Sequence, residues 1–588
     1  MNKIFHTLFG KGLILLSLGF LLTACVDNSF NFNDDMDMTM GLGSKGLQMK
    51  IGSTERIYLR DLLKVEEESM LDTTTAHLFY LKKSNSSDVQ FTLPSVNAVL
   101  NDIVIATSVS KELSSAVTLS PGTVVADDVD ASSNDEDFDL KLENVDVSVA
   151  RVKEVSFGGS GSDFALNFQV LRNGTPISGL AVTAVKDFRI ILPDGVEFVD
   201  GTRGTYNIGN ASGGNAPVRL DHIKVSKLHF ADEGLGKTVS EEGGVRSLSL
   251  DGTVRIEGSV TVKALTSVDM AAGDVISANL IISNAGMNVS RISGVFNPAI
   301  NPNVEPINID EDLPSFLRDN DVLIDAANPT LRLTADLSAI PANIMLSANL
   351  VARLASGLGT TVGVPASGEV GLDGSANNVS YFYASGATPF TSNGIVETNA
   401  KLYQVPNLTQ LIRKIPRQVE VDLGGGKMHL DQSKLVSTNV PASYSLNLSY
   451  DIAVPFQFNG DLSVVYSDSV LDMHDDLKKY EADSVYVSAI IKNTIPLALS
   501  ADIELQDVSG RPIQGAVVQS ANVAANSTES VRIKVSLANS ADLKLVDRMM
   551  FRVKADAVGG RGNLCSDQYL EVNDITLELA GQVTGNFN

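Results

Sequence analysis

Apolar and polar residues alternate with a period of two along most of this 588-residue chain. Val145, Val147 and Val149 alternate with polar neighbours, and so do Phe164, Leu166, Phe168 and Val170. Tyr444, Leu446, Leu448, Tyr450, Ile452 and Val454 hold the pattern for eleven residues, and Val531, Ile533, Val535 and Leu537 repeat it. Successive strand side chains point to opposite faces, so this pattern predicts half-buried strands with one wet face. Turn pairs punctuate the runs. Asn173-Gly174 follows one of them. Asp251-Gly252 lies between Leu248/Leu250 and Val254/Ile256 and is expected to close a tight hairpin, since a type I′ turn needs φ > 0 at both positions. Many such strands with few helices between them predict an all-β fold of tandem antiparallel β-sandwich (Ig-like) domains.

Three short helices are expected as connectors. The clearest runs from Asn407 to Ile415, with Asn407 as cap, Gln410 at the third helical position and Pro416 as the stop. The others cover Ile57–Lys64 and Leu313–Arg318. A weak internal echo links Val454-Pro455, Ile495-Pro496 and Ile340-Pro341. Each precedes an alternating run, as expected where a strand begins with a proline that needs no ladder hydrogen bond.

The N-terminus carries Lys3 and Lys11, then an uncharged run from Gly12 to Ala24. That run is shorter than the roughly 20 apolar residues of a membrane span. It has the form of a secretory leader ending in small residues. Leu22-Thr23-Ala24-Cys25 resembles the lipobox of bacterial lipoproteins, which implies cleavage before Cys25 and acylation of that residue. The segment after it, rich in Asp and Asn, reads as a flexible tether. Cleavage would leave 564 of 588 residues, too many for one core; about three to five domains are expected. The expected division is a leader at 1–24, lipidated Cys and tether at 25–45, a β domain at 46–140, sandwiches at 141–285 and 286–400, and a C-terminal sandwich region at 401–588.

Charge narrows the partners. With 45 Lys+Arg against 70 Asp+Glu the net charge is −25, so nucleic acid is not an expected partner. Membrane attachment is expected through the lipid, with a surface protein or glycan as the outward partner. The two cysteines are Cys25 and Cys565, so a lipidated Cys25 leaves Cys565 without a disulfide partner in the chain.

The lipobox, the acidic tether, the opening from Gly46 to Leu63, Leu411-Ile412-Arg413-Lys414-Ile415-Pro416 and Asn493-Thr494-Ile495-Pro496-Leu497 together resemble large outer-membrane lipoproteins of the Bacteroidota type. The resemblance implies an outer-membrane location, on the cell surface or the periplasmic face. It also implies O-glycan acceptors at Thr73, Ser469 and Ser484, each following an Asp. The acidic export signal of such lipoproteins directly follows the Cys; here only Asp27 is acidic near that point.

Catalytic patterns are scarce. His222 and His229 are seven residues apart in an alternating stretch, which puts them on opposite faces of a straight strand. Gly424-Gly425-Gly426-Lys427 is not a phosphate loop, because Val421 stands where the first Gly belongs and Met428 follows the Lys; it reads as a hairpin tip. Asp128, Asp130, Ser132, Asn134, Glu136 and Asp139 have the spacing of a calcium loop, although Ser133 occupies the position that needs Gly. An acidic solvated loop is the plainer reading. No cofactor is expected. The chain has no Trp and 12 Tyr, which lowers the expectation of sugar platforms. The function expected from sequence is non-enzymatic: a lipid-anchored structural, adhesive or assembly component. The alternatives are a glycan- or nutrient-binding accessory lipoprotein and an apolar-ligand carrier, the last requiring an apolar trough between sheets.

Overall fold

In the computed structural model the described residues are 41–588, without 44–45, 64–69, 159–161, 303, 310–321, 425–426, 459, 461, 472, 479, 558–561, 581–583 and 586–588. They are almost entirely strands, and the large sheets are antiparallel apart from one parallel pair, Asn377–Tyr383 with Lys401–Gln404. The all-β expectation holds. Cys25 and the Leu313–Arg318 helix expectation lie outside the described residues.

One sandwich joins the two ends of the chain. Its first sheet runs Gly41–Gly43, Gly46–Gly52, Tyr569–Ala580, Ser484–Asn493, Ser527–Ser536, Val517–Val518, with Ile57–Tyr58 also on the Tyr569–Ala580 strand. Its second sheet orders Ser463–Val470, Arg548–Asp556, Ala498–Gln506 and Ala521–Val523. The alternation seen in sequence places Val485, Val487 and Ile491, with Val531, Ile533 and Val535, in a core of their own together with Leu505 and Val553.

A larger core unites the remaining sheets. A ten-stranded sheet includes Val149–Phe157, Ser162–Arg172, Ile223–His229 and Val275–Gly286. A seven-stranded sheet includes Glu136–Glu143, Leu180–Ile191 and Val245–Ala264. Phe138 meets Phe164 and Phe168 meets Phe188 edge-on between them, at 6.5 and 5.6 Å. A six-stranded sheet centres on Thr330–Asp336, Ala442–Pro455 and Phe79–Leu93, with a four-stranded sheet around Gln418–Asp422 and Ala348–Leu354 in the same core. Strand pairing crosses the sequence positions 140, 285 and 400: Phe79–Leu93 binds Ala442–Pro455 along fourteen residue pairs, and Val289–Phe296 binds Val436–Asn439.

Several local expectations change. Asp251-Gly252 is not a hairpin turn but the middle of a twenty-residue strand, Val245–Ala264. Its N-terminal part pairs with Glu136–Glu143 and its C-terminal part with Leu180–Ile191. Each half finds its ladder partners on other strands, so nothing is gained by folding the run back on itself. The Gly is required for another reason: a Cβ at Gly252 would stand 2.6 Å from the Pro193 ring. Asn173-Gly174 does turn, with φ of 56° and 78°. Asn407 precedes a helix of only five residues, Leu408–Ile412, and is itself αR with no side-chain cap bond, so the expected capping box does not form. The Ile57–Lys64 expectation is reduced to a strand, Ile57–Tyr58, and a helix, Leu59–Leu63. The strands flanking Gly424 belong to different sheets, so that segment is a connector and not a hairpin tip. Pro496 and Pro341 precede strands as expected, whereas Pro455 ends one.

Candidate functional site

The calcium spacing does not become a loop. Asp128 and Asp130 lie on the strand Val124–Asp130, Asn134 in the connection, and Glu136 and Asp139 on Glu136–Glu143. Both strands find partners in the sheet, and the ladder spreads the carboxylates instead of converging them. The Lys186 ammonium reaches Asp128 at 2.8 Å, Ser132 donates to Asp130 at 2.7 Å, and Lys141 pairs with Asp139 at 2.9 Å. Among the described residues no group of three or more His, Cys, Asp or Glu side chains is placed to hold a metal ion.

The acceptor candidates sit on strands. Thr73 ends Leu71–Thr73 and is half-buried, with its N–H donating to Asp72 at 2.7 Å. Ser469 lies within Ser463–Val470, opposite Met550. Ser484 begins Ser484–Asn493, between Ser536 and Ala580. Burial pushes the Cys565 thiol up, with the nearby Asp567 charge adding to the effect. That is the reverse of an activated nucleophile.

His222 and His229 do not meet. His222 precedes the strand and lies 3.4 Å from Asp163. His229 is buried, with Nε2 2.8 Å from Glu197 and Nδ1 3.5 Å from Glu154. Arg203 adds a bond to Asp232 at 3.1 Å. Burial would raise the Glu197 carboxyl, but the His229 hydrogen bond and the charges of Lys227, His229 and Arg203 outweigh it and hold it below the usual carboxylate range. Lys227 and His229 on one strand and Arg203 on another segment thus engage the carboxylates, and the cluster acts as an electrostatic rivet.

An apolar cavity of about 70 Å³ lies between the six-stranded and four-stranded sheets. Leu81, Ile324, Leu331, Leu411, Val419 and Ile452 are among its walls.

The outward face of the terminal sandwich's first sheet carries a different chemistry. The same alternation that buries Val485, Val487, Ile533 and Val535 turns Tyr486, Arg532 and Lys534 outward. Lys534 is register partner of Tyr486, and Arg532 of Ser488. On the next strand Glu578 stands opposite Tyr486 and Glu571 opposite Lys492. Tyr58 pairs with Tyr569 from the far edge. The side chains interlock accordingly. The Arg532 guanidinium lies 4.1 Å from the Tyr486 ring centre and 3.0 Å from Glu578. At the other end Tyr58 and Tyr569 meet edge-on at 5.5 Å, with Arg60 over Tyr58 at 4.4 Å and Arg56 over Tyr569 at 4.7 Å. Each exposed cation–π contact contributes about 0.5–1 kcal/mol. The pairs fix flat rings in the sheet surface and hold cations beside them. Alternation around Val531, Ile533 and Val535 turns Arg532 and Lys534 outward. The assembly was invisible in sequence, because it joins residues 58, 486, 532 and 569.

No protein family and no curated protein matches the chain. Among solved structures it is similar to a Parabacteroides distasonis protein described as secreted, at 16% identity over 50% of this chain and 83% of that one, with a TM-score of 0.35. A bacteriophage CBA120 tailspike protein 4 domain matches at 10% identity over 20% of this chain and 14% of that one, TM-score 0.13. An infectious bursal virus particle protein matches at 10% over 89% and 84%, TM-score 0.13. Likenesses this low assign no role to this chain. Among the described residues no helix is long and apolar enough to cross a membrane.

Proposed function

We propose that this chain is a lipid-anchored outer-membrane lipoprotein whose role is non-enzymatic: it displays a binding surface as an adhesive or assembly component. The Leu22-Thr23-Ala24-Cys25 motif supports the anchor. The observation that supports display is the outward face of the terminal sheet, where Tyr58, Tyr486 and Tyr569 stand among cations on a chain of net charge −25. Strand ladders hold these side chains in place, so little ordering entropy is left for binding to supply. The tether enters the same sheet through Gly41–Gly43 and Gly46–Gly52, which sets the face close in sequence to the anchor.

Fractionation of cells expressing Cys25→Ser tests the anchor. The variant is expected in the soluble fraction, and its retention in membranes would overturn the lipoprotein reading. Protease shaving of intact cells, with lysed cells as control, tests display. Cleavage on intact cells fits adhesion, and protection until lysis removes it.

A further inference from the structure

We infer that the outward face of the terminal sheet binds an acidic polysaccharide, a deepening that rests on the proposed display role. Three features carry it. First, the face has two aromatic ends, Tyr569 and Tyr486, and the six residues from Lys492 to Tyr486 set them roughly 20 Å apart along the strand. Between them the floor is small or polar apart from the exposed Ile490: Ser488 has Thr576 as its register partner, and Asn573 is opposite Ile490. An extended chain of sugars fits such a shape, stacking a ring at each end on a tyrosine.

Second, the charge is locally reversed. Arg56, Arg60, Lys492, Arg532 and Lys534 lie against these rings, and three carboxylates pair with them: Glu571 with Arg56 at 3.8 Å, Asp61 with Arg60 at 3.7 Å and Glu578 with Arg532 at 3.0 Å. Five cations against three carboxylates, an excess of two on a chain of −25, select a ligand that is negative and locally bound. Third, Glu571 and Glu578, each beside an arginine, still offer carboxylate oxygens that accept hydrogen bonds, and sugar hydroxyls donate them. Cations for carboxylates, carboxylates for hydroxyls and rings for sugar faces together describe a uronate-type polymer. An anionic bilayer is the lesser fit, because the remainder of the chain, beginning with the acidic tether, would be repelled by it.

The test is a binding titration of the full chain carrying Cys25→Ser, so that it has no lipid of its own, in detergent-free buffer, with polygalacturonate as acidic probe, dextran as neutral probe and phosphatidylglycerol vesicles as membrane probe. Polygalacturonate is expected to bind, dextran at least tenfold more weakly. The double reversal Arg532→Glu/Lys534→Glu is expected to weaken polygalacturonate binding at least tenfold while lowering the thermal melt by only a few degrees. Tyr486→Ala is expected to weaken it several-fold, with the loss persisting at 1 M salt where the charge contribution is screened. Equal binding of dextran, unchanged affinity of the double reversal, or preference for the vesicles over polygalacturonate would each overturn the inference. The titration uses purified protein, so a failed anchor or a buried orientation on cells leaves its result intact, and the two readings fail separately.

Discussion

Two sheets of this molecule obey the same pattern and present opposite surfaces. In the six-stranded sheet, Leu446, Leu448 and Tyr450 point inward, and the row outside is Ser443, Ser445, Asn447, Ser449 and Asp451 facing Thr92, Gln90, Asp88, Ser86 and Ser84. In the terminal sheet Val485, Val487 and Val535 point inward, and the row outside includes Tyr486, Lys492, Arg532 and Lys534. The inner faces are interchangeable in kind, but the outer faces are not. Where the Ser-rich sheet does carry an arginine and a tyrosine, the ring is buried and bound to a carboxylate, whereas Tyr486 is partly exposed with Arg532 over its face. Arg332 is clasped by Glu397 at 2.8 Å and Asp451 at 2.7 Å, and Tyr381, 2% exposed, bonds Glu397. Alternation builds either sheet, and the residues spared by the core decide whether it is a wall or a platform.

Four measurements probe the contrast between wall and platform. The inner faces should respond alike: Leu446→Ala and Ile533→Ala, both in fully buried positions, are each expected to lose about 2–5 kcal/mol in denaturant unfolding. A loss well below that at either site would show that the two cores are not equivalent. Next comes the turn that links the two sheets of the terminal sandwich. Asn493 is buried; its Nδ2 donates to the Leu497 and Ala524 carbonyls at 2.9 and 3.0 Å, and its Oδ1 accepts from the Ile495 N–H at 2.9 Å. Asn493→Ala strands these backbone groups and is expected to cost about 3 kcal/mol in the same unfolding measurement.

The third measurement concerns the buried Tyr381. Burial, then Glu397, pushes its hydroxyl up to about 12. The fold therefore favours the protonated form, and that contribution is complete below the unfolded value near 10. It is lost as pH rises from there toward 12. Wild type is expected to lose stability across that window with a steeper slope than Tyr381→Phe; parallel curves would show that Tyr381 contributes nothing there. The smallest effect is expected on the platform itself. Arg532→Ala gives up an exposed ion pair and one ring contact and should cost under about 1 kcal/mol, against less than about 0.5 kcal/mol for Ser445→Ala. A large loss at Arg532 would make it a structural residue and not a displayed one.

Part of the architecture is legible in the residues alone. The strands Ala442–Pro455 and Ser527–Ser536 fall where the alternation puts them, and Asn173-Gly174 turns as its residues require. The Asp251-Gly252 expectation fails because a turn signal is local and ladder partners are not: Glu136–Glu143, over a hundred residues upstream, holds that run straight. The calcium spacing fails for the same reason, since a loop-length pattern is drawn into two paired strands. The helix at Leu408–Ile412 keeps its buried Leu408 and Leu411 but not its cap, because packing of an apolar stripe outlasts a single terminal bond.

The all-β class and, for each regular strand, the residues that face water are written in the chain itself, because a period of two is a property of one extended segment. Pairing lies beyond that local code. Register between Tyr58 and Tyr569, or between Tyr486 and Lys534, is decided by which strands lie side by side once distant segments have buried their apolar faces. Arg532 and Lys534 are legible as outward residues of an alternating strand, whereas Tyr58 falls in an expected helix, and it is the folding of distant strands into one sheet that gathers the tyrosines and cations on a single surface.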